Sequence, residues 1–574
     1  MEPLELVLIA VAAVIVIAVV TALSQRTRVA GPLILVVIGI GVSLSPFVPT
    51  FTVPPDVILV GVLPPLLFSA AVQLPAIEFR RDFRTISGLA IVLVLGSALA
   101  LGVFFWLVIP SVGFPLGVAL GAILSPTDAV ATSIAKRLGI APRVTTILEG
   151  ESLLNDATAL VMLRTAIVAI AGSFSLWQGV GTFALGVVVA VIVGGIVGWL
   201  TMRLRAWVGS SAASAAISLG VPFLAYIPTE HLGGSGLVAA VVAGLVTGQG
   251  RLRHFSPEQR LADASDWRMI ELVLEGAVFL VMGLELKDIL SANIADHDGV
   301  VRGVWLAASA LGILLLVRAL FVTLQLLGQA RRAKRRAGHR ERLERVGERV
   351  DRMDATDASD PNAKRRERNI ARFRTRLRRG LSDLDYYEAN PLGWRHGVVV
   401  VWAGMRGVVT LAAAQTLPSA TADRPLLIWV AFLVALSSLL LQGLTLPWVV
   451  RKLGLTGDAA LEEASRDERA RLKGVLRDAA ASALTAPGLT RPDGIPFAPG
   501  LVSGVVSRFT ADIDDESLTE RRREMLELQL ISLDAQRRRL LDASAGGEYS
   551  SAALRTALAE LDADQLSIER RLAD

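Results

Sequence analysis

The chain has 574 residues, of which 53% are hydrophobic and 19% are charged. Apolar runs near the length of about 20 residues that crosses a bilayer recur along it, which excludes a soluble protein. The net charge is +5, but the Lys and Arg residues lie in short segments between apolar runs, as orientation signals do, so nucleic acid is not indicated as a partner. Without cysteine, the chain forms neither disulfides nor thiolate metal sites.

Hydropathy predicts an all-α polytopic membrane protein with about thirteen transmembrane helices. The predicted segments lie near 3–23, 30–47, 55–76, 86–109, 114–137, 144–170, 177–202, 211–227, 233–250, 268–287, 301–328, 395–418 and 425–450. Basic residues are frequent in every second connection and scarce in the others, as cytoplasmic and outer loops respectively are expected to be. The first connection is basic, so we expect the N-terminus outside and the C-terminus in the cytoplasm.

Two stretches are not apolar, and they divide the chain into domains. We expect a transmembrane domain at 1–456, with a charged cytoplasmic insertion at 329–394, and a cytoplasmic helical region at 457–574. The insertion is predicted to be partly helical and to be disordered near 354–362. A regulatory contact or a contact with anionic lipid is the functional alternative to a solvated linker.

The C-terminal region is predicted to be a helical tail. A Pro/Gly-rich linker around 486–504 precedes helical patterns near 515–541 and 550–572, for which an antiparallel hairpin is the simplest arrangement.

Ionisable side chains inside the apolar segments are the first functional candidates, because a charge at mid-bilayer costs about 2.5–3.5 kcal/mol on the lenient insertion scale. The candidates are Asp128, Glu151, Asp156, Arg164, Arg318 and Arg406. Arg164 lies near the outer end of its segment, and we interpret it as a snorkelling or capping residue.

Two of the segments are predicted to be broken helices. The motif SPTD at 125–128 interrupts the fifth segment, because proline removes a backbone donor and disfavours helix for the residue before it. Unwound backbone at membrane depth is tolerated where it is buried or lines a cavity, and its free carbonyls can bind ions. The alternative is a proline kink capped by Asp128. The motif GMRG at 404–407 suggests a second break in an inverted repeat of six plus six helices.

Four polar side chains of the segment 144–170 share a helical face. Glu151, Ser152, Asn155 and Asp156 fall within roughly 140° at about 100° per residue. Together with carbonyls of a neighbouring broken helix they are hard oxygen ligands, which suit Na⁺ or Li⁺. The alternative is a structural polar network between helices, which ordinarily needs no carboxylate.

Six motifs in this order resemble those of the monovalent cation:proton antiporter-1 family, the bacterial sodium/proton antiporters related to the animal sodium/proton exchangers. They are LPPLLF at 63–68, SPTDAVA at 125–131, GESLLNDATALV at 150–161, FLVMGLEL at 279–286, VRALFV at 317–322 and GMRGVVTLA at 404–412. The resemblance covers roughly residues 5–452 and implies inverted repeats with two broken, crossing helices.

The resemblance also implies roles for particular residues. Asp156 would carry the cation and the proton, with Ser152 and Thr127 as further ligands of Na⁺. Glu151 and Arg318 would form a structural ion pair. Asn155 and Asp128 would support the point where the two broken helices cross, and Arg406 would balance charge at the second break. One departure concerns the position after LPPLLF, where many relatives have an acidic residue and this chain has Ser69.

The resemblance implies a secondary active transporter, not an enzyme, without a cofactor, in the bacterial plasma membrane as a homodimer. It would exchange Na⁺, or Li⁺, for H⁺ electroneutrally by alternating access, because one carboxylate binds either ion. The main alternative is a K⁺/H⁺ antiporter of the same fold. Remote alternatives are a cation channel, although no pore loop is recognisable, and an intramembrane aspartyl protease using Asp128 and Asp156, although Gly-x-Gly-Asp is absent at both.

Overall fold

The structure is a computed structural model. It describes residues 3–27, 29–46, 53–171, 176–294, 299–353, 390–456 and 551–573, and scattered positions at 370–388 and 463–536. The chain divides into two compact units, Met1–Asp458 and Ala459–Asp574. The functions predicted for the corresponding domains stay predictions.

The described residues form helices and no β-strand, which confirms the predicted all-α class. The helices are α1 (Pro3–Thr27), α2 (Gly31–Ser43), α3 (Leu63–Gln73), α4 (Ala76–Ser87), α5 (Val94–Val108), α6 (Phe114–Leu124), α7 (Val130–Arg137), α8 (Pro142–Ala171), α9 (Leu176–Val208), α10 (Ser211–His231), α11 (Gly236–His254), α12 (Pro257–Leu284), α13 (Leu286–Ile294), α14 (Gly299–Met353), α15 (Trp394–Trp402), α16 (Val408–Gln415), α17 (Arg424–Lys452) and α18 (Ser551–Ala573). π-Helical turns at Val57–Val62 and Gly88–Leu93 lead into α3 and join α4 to α5.

Seven of the described helices are long and apolar enough to cross a bilayer. Four shorter apolar helical stretches accompany them, at Gly31–Ser43, Val57–Gln73, Phe114–Leu124 and Gly236–Arg251. A polytopic membrane architecture is therefore confirmed, whereas the number of thirteen spans stays a prediction.

Three helices extend well beyond their predicted segments. The helix over Ala76–Val108 begins at Ala76 instead of near 86, and α12 begins at Pro257 instead of near 268. Helix α14 continues to Met353 instead of ending near 328. A hydropathy pattern marks only the part of a helix that lies in lipid. Arg, Glu, Ala and Leu favour helix in water as well, so the helices continue past the apolar segments. The disorder predicted near 354–362 lies outside the described residues.

The helices of Met1–Asp458 pack mainly within two groups. The scaffold group contains α1–α3 and α9–α12, and the core group contains α4–α8 and α14–α17. Contacts between the groups are fewer, and most of them join α3, α11 and α12 to α8 and α16. Smaller ones join α11 to α4 and α2 to α17. This boundary positions the site, because α8 carries the predicted ion ligands.

In the second unit the described helix α18 coincides with the pattern predicted near 550–572. The predicted linker at 486–504 and most of the helix at 515–541 lie outside the described residues, so the hairpin stays a prediction.

Candidate functional site

Two broken helices meet within the core group. Helix α6 ends at Leu124 and α7 begins at Val130, while α15 ends at Trp402 and α16 begins at Val408. Both breaks lie at the motifs that predicted them. The unwound stretches 125–129 and 403–407 are called the crossing below.

Each stretch of the crossing satisfies backbone groups that the other leaves free. The Asp128 N–H donates to the Met405 carbonyl over 2.7 Å, and Arg406 Nε donates to the Leu124 carbonyl over 3.1 Å. The Arg406 N–H donates to Ser438 Oγ over 2.9 Å. These bonds meet the requirement that unwound backbone at membrane depth find its partners in the protein.

The crossing is held tightly at Gly407. Asp128 accepts the Val130 N–H over 2.9 Å at the start of α7, where a helix favours negative charge. The other Asp128 carboxylate oxygen lies so close to Gly407 that a Cβ at that position would overlap with it. Only glycine leaves room for the carboxylate.

A buried ion pair joins α8 to α14 beside the crossing. Arg318 Nη1 and Nη2 donate to the two oxygens of Glu151, the second bond being 2.8 Å long, and both side chains are 2% exposed. Arg318 Nε donates to the Val400 carbonyl over 2.9 Å. Thr127 Oγ1 donates to Glu151 Oε1 over 3.3 Å. The Glu151 charge is thus fully surrounded by donors.

Asn155 lies behind Thr127. Its Nδ2 donates to Thr127 Oγ1 over 2.7 Å, whereas its buried Oδ1 has no hydrogen-bond partner in the described part of the chain. The Thr127 hydroxyl therefore has one acceptor, one donor and a remaining lone pair. That lone pair is open to a ligand.

Asp156 differs from Glu151, although both lie on α8. It is 7% exposed, and among the residues that the structure describes nothing donates a hydrogen bond to it and no basic group pairs with it. Instead it lines a cavity of about 120 Å³ between the two helix groups, large enough to hold water molecules. Of the two carboxylates on α8, Asp156 is therefore the one without a protein partner in the described part of the chain.

The cavity is acidic. Its lining residues are Val62, Leu63, Leu66, Leu67, Ala70, Pro126, Thr127, Asp128, Ala129, Ser152, Leu153, Asp156, Glu271, Glu275, Val278, Phe279, Gly407, Val408, Val409 and Thr410. Four are carboxylates and, within this described lining, none is basic. A cavity of this composition attracts cations and repels anions.

The predicted site residues thus fall into two sets. Asp156, Ser152, Thr127 and Asp128 line the cavity. Glu151, Asn155, Arg318 and Arg406 are buried at the crossing and do not belong to the lining. The roles given to the individual residues stay predictions.

Two lining carboxylates were missed by the sequence analysis. Glu271 and Glu275 are one turn apart on α12, inside the predicted segment 268–287, and were not counted among the ionisable residues of the membrane. Their i,i+4 spacing in an otherwise apolar stretch was the available signal.

A second cavity of about 210 Å³ lies at the other end of α8 and is lined by Asp56, Arg164 and Glu230, among others. Arg164 Nη1 donates to Glu230 Oε2 of α10 over 2.6 Å, and the Arg164 side chain is 60% exposed, so its interpretation as a snorkelling or capping residue stays a prediction. A packed apolar cluster separates the two cavities, since its members line one or the other: Leu63, Leu67 and Leu153 line the first, and Tyr226 and Leu237 the second. The acidic cavity is therefore closed toward that end.

The chain matches a known family and several known proteins. The model of the family described as "sodium/hydrogen exchanger, transmembrane" matches residues 12–452. An uncharacterized Na⁺/H⁺ exchanger of Escherichia coli is 37% identical over 276 residues, which are 46% of this chain and 50% of that protein. A sodium, potassium, lithium and rubidium/H⁺ antiporter of Bacillus pumilus is 27% identical over 439 residues, 73% of this chain and 58% of that protein. The chain thus matches between half and three fifths of these two relatives.

A solved structure has the same fold. The sodium proton antiporter MjNhaP1 of Methanocaldococcus jannaschii superposes with a TM-score of 0.56 at 18% identity, covering 79% of this chain and 98% of that chain.

Proposed function

Because the chain belongs to the sodium/hydrogen exchanger family, a family of transporters and not of enzymes, we propose that it exchanges one Na⁺ for one H⁺ at Asp156. One observation carries the proposal: Asp156 is a buried carboxylate without a partner in the described part of the chain, and it faces an acidic cavity. Such a group binds a proton or a cation, since an unpaired charge at membrane depth is costly.

Competition for one carboxylate couples the two ions. A proton on Asp156 removes the negative charge that binds Na⁺, and bound Na⁺ leaves no site for the proton. Loaded with either ion the site is neutral, whereas the empty site is charged and costly to move through the membrane, which prevents a leak of either ion.

The ligands of Na⁺ are proposed to be Asp156, Ser152 and Thr127. Ser152 and Thr127 line the same cavity as Asp156, and the Thr127 hydroxyl has a free lone pair. Asp128 and Asn155 would hold the crossing in shape, and Arg406 would balance charge there. Oxygen ligands of this kind suit alkali cations.

Transport would proceed by movement of the core group against the scaffold group. The acidic cavity lies at the group boundary and is closed at one end by the apolar cluster, as expected of a site that faces one side at a time. Arg80, Arg81 and Arg84 follow the end of α3 on which Gln73 lies, so the positive-inside rule assigns that end to the cytoplasm. The acidic cavity would then open inward.

This orientation places the N-terminus outside and the C-terminal region in the cytoplasm of a bacterial cell, with the protein in the plasma membrane. A homodimer is proposed from the family resemblance alone. Crosslinking in native membranes tests it, and a band at the monomer mass only would oppose it.

The test is Asp156→Asn in everted membrane vesicles, with Na⁺ added to the outer, formerly cytoplasmic face. We expect Na⁺-dependent dequenching of a pH dye to be lost, because the amide cannot exchange a proton, while the variant elutes as the wild type does in gel filtration. Glu258→Gln, at an exposed position in the first turn of α12, is the matched control and should exchange normally. Undiminished exchange by Asp156→Asn would sink the proposal.

A cation series addresses ion choice. Relatives are named for sodium alone and for sodium, potassium, lithium and rubidium together. We expect Na⁺ and Li⁺ to dequench the dye at lower concentration than K⁺. A preference for K⁺ would contradict the proposed substrate and leave the exchange itself standing.

A further inference from the structure

Ser69 occupies the position where the family resemblance leads one to expect a carboxylate, and α12 places a carboxylate directly beside it. Ser69 is fully buried, and its hydroxyl donates to Glu271 Oε1 over 2.6 Å. Gln73 Nε2, exposed at the end of α3, donates to the same oxygen over 2.9 Å. Two side chains of α3 thus position the carboxylate that α3 itself lacks.

Glu275 continues this feature toward Asp156. It lies one turn after Glu271 on the same face of α12, and both line the acidic cavity. In the described part of the chain no hydrogen bond or ion pair engages the Glu275 carboxylate. Its charge faces the cavity without compensation.

The cavity wall also contains an unsatisfied polar atom. Thr410 of α16 is fully buried and lines the cavity, and its Oγ1 has no hydrogen-bond partner among the described residues. A buried hydroxyl without a partner is costly unless something in the cavity binds it. This observation is independent of the carboxylates and indicates an occupant.

The occupant must be positively charged. The ionisable groups that face the cavity are Asp128 from the crossing, Asp156 from α8, and Glu271 and Glu275 from α12, whereas the lining residues of α3 and α16 bring no charge. One ion at Asp156 leaves the carboxylates of α12 unbalanced. Carboxylate and hydroxyl oxygens are the ligands that alkali cations prefer.

We propose that Glu271 and Glu275 form a second monovalent-cation site at the mouth of the cavity, which concentrates the transported ion before it reaches Asp156. The inference rests on the proposed exchange at Asp156. The second site belongs to the scaffold group and Asp156 to the core group. Movement of the core would therefore carry away the ion at Asp156 and leave the second site behind.

The test is the Na⁺ concentration for half-maximal exchange in everted vesicles of the full-length protein carrying Glu271→Gln. Glutamine keeps an oxygen that can accept from Ser69 and Gln73, so the charge is the main change. We expect the half-saturating Na⁺ concentration to rise about tenfold, because an acidic cleft raises the local cation concentration by at least that factor. The maximal rate should change less than about twofold, since Asp156 is intact.

Two comparisons make the result specific. Ser69→Glu combined with Glu271→Ser moves the carboxylate from α12 to α3 and should return half-saturation to within about threefold of the wild type. Added choline chloride should raise half-saturation in the wild type and much less in Glu271→Gln, because salt screens the lost charge. Glu258→Gln again serves as the control on α12.

The outcomes separate this inference from the function on which it rests. An unchanged half-saturation in Glu271→Gln overturns the second site, as does a fall in maximal rate with half-saturation unchanged. Absence of exchange in the wild-type vesicles overturns the proposed function and the second site with it. Exchange in the wild type with a normal Glu271→Gln variant overturns the second site alone.

Discussion

The crossing and the acidic cavity differ in how they treat a buried carboxylate, although one helix contributes to both. At the crossing, Glu151 is enclosed by Arg318 and Thr127. In the cavity, Asp156 lies little more than one turn further along α8 and has no partner in the described part of the chain. Both are almost fully buried, so burial does not distinguish Asp156, the proposed ion carrier, from Glu151. They differ in that no protein group in the described part of the chain donates a hydrogen bond to Asp156.

Removing Arg318 tests whether Glu151 at the crossing depends on its basic partner. Arg318→Met leaves Glu151 as an unpaired buried charge, which costs about 3–5 kcal/mol of stability. We expect a large fall in the apparent melting temperature in detergent. The double variant Arg318→Met with Glu151→Leu replaces the pair by apolar groups and should recover most of that loss. A single variant that melts like the wild type would show that the ion pair does not hold the crossing.

The close approach of the two unwound stretches can be tested by adding a methyl group at Gly407, which changes no charge. Gly407→Ala places a Cβ against the Asp128 carboxylate, so the stretches must separate. We expect a loss of about 1–3 kcal/mol of stability, as for other overpacked sites, and a matching fall in exchange rate. Gly312→Ala on α14 is the control, since a Cβ there meets nothing within 4 Å. Equal behaviour of the two variants would contradict the close approach at Gly407.

In the acidic cavity, a proton and Na⁺ are expected to compete for the carboxylate of Asp156. Each unit by which the pH falls raises the proton concentration tenfold. In the acid range the half-saturating Na⁺ concentration should therefore rise about tenfold per unit, which corresponds to about 1.4 kcal/mol. Dye dequenching at several pH values measures it. A half-saturation independent of pH would mean that the two ions bind at separate groups.

Local rules sufficed for much of the fold and for part of the site. Proline at 126 and the glycines at 404 and 407 indicated both breaks, because their backbone effects act within a few residues. Hydropathy located the membrane segments but not the ends of Ala76–Val108 and α14, since polar helix continues into water.

Local sequence patterns did not predict which side chains contact each other in the folded chain. Glu151 and Arg318 are 167 residues apart along the chain, so without the family resemblance nothing near either would have paired them. Glu271 and Glu275 lie inside the predicted segment 268–287, but no residue near them in the sequence shows that they face a cavity. They line the cavity because α12 packs beside α3 and α16, and such contacts arise only in the tertiary structure.

The charged insertion contacts another buried carboxylate with several donors, Asp82 of α4, and this contact allows the mildest test. Arg143 donates to both oxygens of Asp82, and Tyr386 Oη, from the insertion, donates to Asp82 Oδ2 over 3.1 Å. Burial, and then the Asp82 charge, raise the pKa of Tyr386, so the phenol stays a neutral donor throughout the physiological range. The insertion is thereby attached to α4 and α8.

Tyr386→Phe removes one of the several donors to Asp82. We expect a loss of only about 1 kcal/mol, because Arg143 still neutralises the carboxylate. Exchange should continue, and limited proteolysis within 383–390 should become faster as the contact opens more often. A double-mutant cycle with Asp82→Asn isolates the bond, and additive losses would show that it contributes nothing. If instead Tyr386→Phe abolished exchange, the insertion would have to act on α8 directly. A carboxylate with protein partners would then take part in transport, and not only in holding the structure together.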